Sequence, residues 1–209
     1  MMVRGVILDY GGVLSLEPTP EALARLHALC ELDADVFADS WLEHRHGYDL
    51  GELSAADYWA RVTGRRCDEE LLERVVAADV DSWAQTNVAM IEWLRELKAA
   101  GFLVGVLSNM PREHWLAFER RHDWPGLCDA VTVSWERGAA KPDEAIYRHC
   151  LDRLGLGPEE AVFVDDRQDN VDAATRVGLH GVRYAGLQGL RDVLAERFGD
   201  ALPLPGPPR

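Results

Sequence analysis

Three short apolar runs in the 209-residue chain end on side chains that can do chemistry, and a lysine stands between the second and third. Val3 to Leu8 runs into Asp9, followed by Tyr10, Gly11 and Gly12. A carboxylate beside glycines lets a ligand approach closely and can serve as nucleophile or metal ligand; it can also simply shape a turn. Phe102 to Leu107 runs into Ser108 and Asn109, a hydroxyl and amides that suit an oxyanion grip or a helix cap. Arg112 and His114 follow, and Arg112 can pair with a phosphate or sugar oxygen or with a surface carboxylate. Lys141, just ahead of Pro142, can neutralise a dianion or stay solvated. Val162 to Val164 runs into Asp165 and Asp166, with Asn170 shortly after. Adjacent carboxylates at the end of a buried strand repel each other unless a cation offsets them, and magnesium suits such a pair. The ordered series Asp9, Ser108, Lys141, Asp165–Asp166 is more specific than any of its members.

These residues need a scaffold that brings strand ends together. From Asn87 onward the apolar pattern alternates between helical and strand periods. Helices are expected over 88–100, 111–121, 143–154 and 170–177, and strands over 102–107, 130–134, 161–164 and 181–184. Short strands separated by helices of this length imply an α/β fold, a Rossmann-like parallel sheet with helices on both faces. In such sheets ligands gather at the carboxyl ends of the strands. Residues 20–85 read as helical, with a capping box at Ser54 to Asp57. The predicted organisation is a core of residues 1–16 and 86–200, a helical cap of residues 17–85 inserted after the first strand, and a flexible Pro-rich tail over residues 201–209.

Composition narrows the function. With 36 acidic and 22 basic side chains the formal charge is −14, which disfavours nucleic acid and anionic membranes as partners. An anionic substrate then needs a local cation. No run approaches the roughly 18 apolar residues of a membrane span. The four cysteines form no CxxC pair, which argues against a zinc site and for a reducing compartment, most economically the cytoplasm. Monomer and homodimer both stay open.

Taken in order, VILDYGGVL, VLSN, GAAKPDEAIY and VFVDDRQDN resemble the four motifs of the haloacid dehalogenase superfamily, over nearly the whole chain. LDYGGVL, LSNMPREH and VDDRQDNVDAA are most similar to the branch containing sugar-1-phosphate phosphatases and the phosphatase domains of soluble epoxide hydrolases. The resemblance implies a Mg²⁺-dependent phosphatase for a small phosphorylated metabolite such as a sugar-1-phosphate. Asp9 would attack phosphorus and form an aspartyl-phosphate. Asp9, the Gly11 carbonyl and Asp166 would hold Mg²⁺, with Asp165 as outer support and Asn170 fixing the carboxylates. Ser108 and the Asn109 backbone N–H would hold phosphoryl oxygens, and Lys141 would balance charge on Asp9 and the phosphate.

One position departs from the pattern. Phosphatases of the superfamily usually carry an acid–base Asp where this chain has Gly11, and such a group is worth roughly 10²–10⁴ in rate. A good leaving group, or another residue (Glu17, His44, His46, Tyr48 or Asp49), would have to compensate. The other functions compatible with the motifs are a 2-haloacid dehalogenase using the same Asp9 and a catalytically weak phosphometabolite-binding protein. Metal-free chemistry at carbon gives no reason for the Asp165–Asp166 pair. The run Glu43 to His46 reads as a solvated helix face. Most of the tryptophans read as packing, with one or two free to face a substrate.

Overall fold

The computed structural model describes residues 2–206. Five parallel strands form one sheet in the order β3–β2–β1–β4–β5, where β1 is Gly5–Leu8, β2 Leu103–Ser108, β3 Ala130–Val133, β4 Ala161–Asp165 and β5 His180–Arg183. β1 lies at the centre, with Leu8 in register with Val106 on one side and Val164 on the other. β1, β2 and β4 are buried on both faces, which is why they read as near-continuous apolar runs. Successive side chains still alternate. Val6, Leu8, Val162 and Val164 join one core, while Ile7, Ala161 and Phe163 join the other.

Helices cover both faces. α9 (Glu144–Leu154) and α10 (Gln168–Val177) seal the Phe163 side, and α6 (Val88–Ala99) and α7 (Arg112–Arg121) the Val164 side. The sequence reading has no helix beyond residue 184. The structure adds α11 (Leu187–Phe198), whose Leu190 and Leu194 are fully buried one turn apart. Only those two of its side chains are fully buried, so the apolar signal is thin.

Between β1 and β2 the chain leaves the sheet for five helices: α1 (Pro20–Cys30), α2 (Ala34–Glu43), α3 (Arg45–Asp49), α4 (Ala55–Thr63) and α5 (Glu69–Ser82). Ser54 caps α4 as its sequence announces, its Oγ accepting from the Asp57 N–H at 3.1 Å. These helices share an apolar cluster of their own, built on Leu26, Phe37, Tyr58, Trp59 and Val75. The chain between 201 and 206 departs from the expected mobile tail. Leu202 is buried in the core, the Trp93 indole N–H donates to the Pro203 carbonyl at 2.8 Å, and Arg191 donates to the Pro205 carbonyl. Residues 207–209 of that expected tail lie outside the described residues. A short helix, α8 (Ser134–Arg137), follows β3 directly.

Candidate active site

The tips of β1, β2 and β4 open into one cleft of about 430 Å³, roofed by residues from the helical insertion. Asp9, Gly11, Ser108, Asn109, Lys141, Asp166 and Asn170 all line it. Asp165 stands directly behind, fully buried as the last residue of β4.

Lys141 is the centre of the arrangement. Its buried Nζ lies 2.8 Å from Asp9 Oδ1 and 2.6 Å from Asp165 Oδ2. Burial works against the charged ammonium, but the two carboxylates override it and hold Lys141 above its usual range. Burial pushes the Asp9 carboxyl up to about 7, with Asp165 and Asp166 adding to the effect and Lys141 opposing it. Asp165 is fixed by two further groups. It accepts from the Arg167 backbone N–H at 2.9 Å and from Asn170 Nδ2 at 3.1 Å on each oxygen. Asn170 thus bonds directly to Asp165.

Ligand oxygens of Asp9, Asp165 and Asp166 come within 4.8 Å of one another. Burial raises the Asp166 pKa, and Asp165 raises it further. Three converging hard oxygen donors with one ammonium between them leave negative charge uncompensated, and a divalent cation such as Mg²⁺ fits that donor set.

The turn after Asp9 explains Gly12. Gly12 has φ +70°, and a Cβ there would come 2.9 Å from Glu17 Oε1 and 3.1 Å from Asp166 Cγ. A Cβ on Gly11 would rest 3.4 Å from the Trp83 ring. Trp83 is itself held where the Tyr10 hydroxyl donates to its carbonyl at 2.9 Å. An acid–base side chain at residue 11 would thus leave the backbone beside an indole, with its Cβ in ordinary contact.

Asn109 serves the site through its side chain. Its Nδ2 donates to the Lys141 carbonyl and its Oδ1 accepts from the Lys141 N–H, both at 2.8 Å. Arg112 departs from its expected place: it is exposed, does not line the cleft, and lies with its guanidinium 5.9 Å from the Trp135 ring centre. As the first residue of α7 it points away from the floor that Met110 and His114 help to form.

The insertion contributes more than sequence patterning suggests. Glu43 to His46 is not simply a solvated face, because Arg45 turns inward. Its Nε donates to Asp49 Oδ1 at 2.9 Å, and its Nη1 lies 3.1 Å from the fully buried Asp79 Oδ2. Burial pushes Asp79 up to about 6 against the pull of Arg45. His114 lies beneath this group with neither ring nitrogen hydrogen-bonded among the described residues, and burial holds its pKa well below the usual value. Of the residues considered for the missing acid, Glu17 and Asp49 line the cleft. Tyr48 is occupied in donating to Glu113 Oε2 at 3.0 Å. Trp41 and Trp83 are the tryptophans that face the cleft. Ser134 was missed altogether. Its Oγ donates to the Asp49 carbonyl and accepts from the Met110 N–H at 2.9 Å, tying the insertion to the tip of β2. Its position at the end of a buried strand was the available signal.

Comparison with known proteins agrees with this geometry. The family model for haloacid dehalogenase-like hydrolases matches residues 3–178. A D-ribitol-5-phosphate phosphatase of Bacteroides thetaiotaomicron is 25% identical over 188 residues, covering 85% of this chain and 89% of that one. A sesquiterpene phosphatase of Aspergillus oryzae is 36% identical over 96 residues, covering 46% of this chain and 49% of that protein. The chain spans about half or less of the length of the first curated relatives it matches. Among solved structures, the magnesium complex of a haloacid dehalogenase family enzyme from Bacteroides thetaiotaomicron superposes with a TM-score of 0.73 at 18% identity, over 88% of this chain and 94% of that one. A match along most of the chain, on a five-stranded sheet of this order, makes the protein a member of the haloacid dehalogenase-like hydrolases.

Proposed function

We propose that the chain is a Mg²⁺-dependent phosphatase that releases phosphate from a small phosphorylated metabolite through an aspartyl-phosphate on Asp9. The observation that carries this reading is the Lys141 ammonium held between Asp9 and Asp165, beside the three-carboxylate cluster. Asp9, Asp165 and Asp166, with the Gly11 carbonyl, would hold the cation. Bound there, it would offset repulsion between the phosphate dianion and the nucleophile.

The remaining chemistry belongs to the chain. Asp9 Oδ attacks phosphorus in line, the bond to the ester oxygen breaks, and the organic alcohol or phenol leaves with that bond's electrons. Lys141 favours the ionised form of Asp9 and stabilises charge on the phosphoryl oxygens, with Ser108 and the Asn109 N–H as further donors. Water then attacks the aspartyl-phosphate and returns Asp9. No side chain at residue 11 protonates the leaving group, so departure depends on that group's own acidity. Several curated relatives are phosphatases of small phosphorylated compounds, including the ribitol-5-phosphate enzyme and a glyceraldehyde 3-phosphate phosphatase of Methanopyrus kandleri. The carboxylate cluster favours this reading over displacement of halide at carbon, which has no call for a cation.

The test is phosphate release from an aryl and a simple alkyl phosphate, in Mg²⁺ and in EDTA, with wild type and Asp9→Asn. Metal-dependent turnover that favours the aryl ester and disappears in the variant is expected. A folded protein that releases phosphate from neither ester would overturn the reading.

A further inference from the structure

All three cations that line the cleft are already engaged by carboxylates. Lys141 bridges Asp9 and Asp165, Arg45 bonds to Asp49 and Asp79, and Arg167 pairs with Asp169 at 2.8 Å. Asp9, Glu17, Asp49 and Asp166 line the same space. One phosphate dianion is provided for at the Lys141 end. A second anion on the substrate would meet no unengaged cation among the described residues.

Asp49 is the group best placed to meet the organic body of a substrate. It sits at the end of α3, over the same cleft as Lys141. Its Oδ1 is fixed by Arg45, its backbone carbonyl by Ser134, and its Oδ2 has no hydrogen-bond partner among the described residues. Trp41, Leu42, Trp83 and Phe118 supply apolar walls to the cleft.

We propose that Asp49 is the specificity-determining residue of the cleft: its open oxygen accepts a hydrogen bond from a hydroxyl on the substrate body, and its charge rejects a second anionic group. The substrate class is then a monophosphate ester with an uncharged, hydroxyl-bearing body. Bisphosphates and phosphorylated carboxylic acids are excluded. The proposal rests on the phosphatase reading for its placement of the phosphate, and on Asp49 alone for its selectivity. A pocket that hydrogen-bonds a hydroxyl discriminates strongly because a mismatched group leaves a buried polar atom unpaired.

Three matched probes separate the two ideas: phenyl phosphate, 4-(hydroxymethyl)phenyl phosphate and 4-carboxyphenyl phosphate. For the wild type, kcat/KM should be about a hundredfold higher for the hydroxymethyl than for the carboxy ester, from like-charge repulsion at short range. Asp49→Asn removes the charge and, with its amide oxygen held by Arg45 Nε, turns its NH₂ to the substrate. The carboxy ester should improve about tenfold or more, while the hydroxymethyl ester, whose hydroxyl can accept as well as donate, should fall less than in Asp49→Ala. Asp49→Ala should erase the preference for hydroxymethyl over plain phenyl. Titration of the corresponding benzylphosphonates into Mg²⁺-loaded Asp9→Asn protein, with and without Asp49→Asn, reads the same ratios as binding constants without turnover.

A wild type that treats the three esters alike, or a ratio unchanged by Asp49→Asn, would overturn the proposal and leave the phosphatase reading standing. Turnover lost for every ester in Asp49→Asn with phosphonate binding intact would overturn it in favour of proton delivery by Asp49. Absence of turnover from the wild type, with phosphonate selectivity as stated, would overturn the phosphatase reading and retain Asp49 as the selector.

Discussion

Asn109 and Lys141 clasp each other with two hydrogen bonds running in opposite directions, each 2.8 Å, from the side chain of one to the backbone of the other. Asn109 follows the last residue of β2, so the sheet itself sets the position of the lysine's backbone. From that anchor the lysine side chain reaches both Asp9 and Asp165. A residue expected to contribute its backbone N–H to a phosphate grip thus also acts as a positioning residue for the central cation.

Replacing Asn109 with Ala should therefore strike catalysis through Lys141. The Lys141 N–H and carbonyl lose their partners, at a cost of about 1–3 kcal/mol in stability. A displaced cation beside the nucleophile should lower kcat by about 10²-fold, with a smaller change in KM. Steady-state kinetics beside a urea melt checks this, and an unchanged kcat in a destabilised protein would reduce the clasp to a purely structural feature.

Lys141→Met leaves Asp9 and Asp165 buried without their shared counter-ion. Removing one partner from a buried pair costs about 3–5 kcal/mol. A divalent cation binding the same carboxylates recovers part of that cost, so Mg²⁺ should raise the variant's melting temperature more than the wild type's. Thermal melts in EDTA and in Mg²⁺ decide it. Equal behaviour of both proteins in both buffers would count against the carboxylates as a metal site.

The strand ends of the candidate site were legible in the sequence because each follows an unbroken apolar run that has to be buried on both faces. Asp9, Ser108 and Asp165 stand where those runs stop. What surrounds the substrate was not legible, for a physical reason. Arg45 and Asp79 are 34 positions apart, and charged residues on amphipathic helices read as solvated until a tertiary contact buries them. Trp83 reads as generic packing, and only the close approach of residue 11 gives it a role. The chain between 201 and 206 misled through its prolines, which fit an extended strap against Trp93 as well as they fit a loose tail.

Gly11→Asp by itself should not supply the missing acid. Its Cβ would fit in ordinary contact 3.4 Å from the Trp83 ring, and the indole crowds the carboxyl beyond it. Combining Gly11→Asp with Trp83→Ala opens that space. Alkyl phosphate turnover should stay near the wild-type level in the single variant and rise about tenfold or more in the double variant, within the range of positioned acid catalysis. Aryl phosphate turnover should change less. A full gain from Gly11→Asp alone would show that the indole is no obstacle.

Asp79 makes a prediction about pH. Its folded pKa is raised from 3.8 to about 6 by burial, with Asp49 adding to the effect and Arg45 and Trp41 opposing it. The unfolded chain gives up this proton near 3.8, whereas the native state keeps it until about 6. Between those values the native state binds more protons, so Asp79's contribution to stability falls as pH rises and is constant above about 6. The full swing is on the order of 3 kcal/mol. His114, buried neutral beside Asp79, works the other way: its unfolded form takes up protons below about 6.5 and weakens the native state in acid. Wild-type stability over this window is therefore a difference of two opposed slopes. Asp79→Asn removes one and leaves the other. Urea unfolding at about pH 4.5 and about pH 7 should show the variant gaining stability relative to wild type as pH rises. Parallel behaviour of the two proteins would mean that Arg45 holds Asp79 ionised throughout, and that the helical insertion carries a permanent charge pair instead of a titrating one.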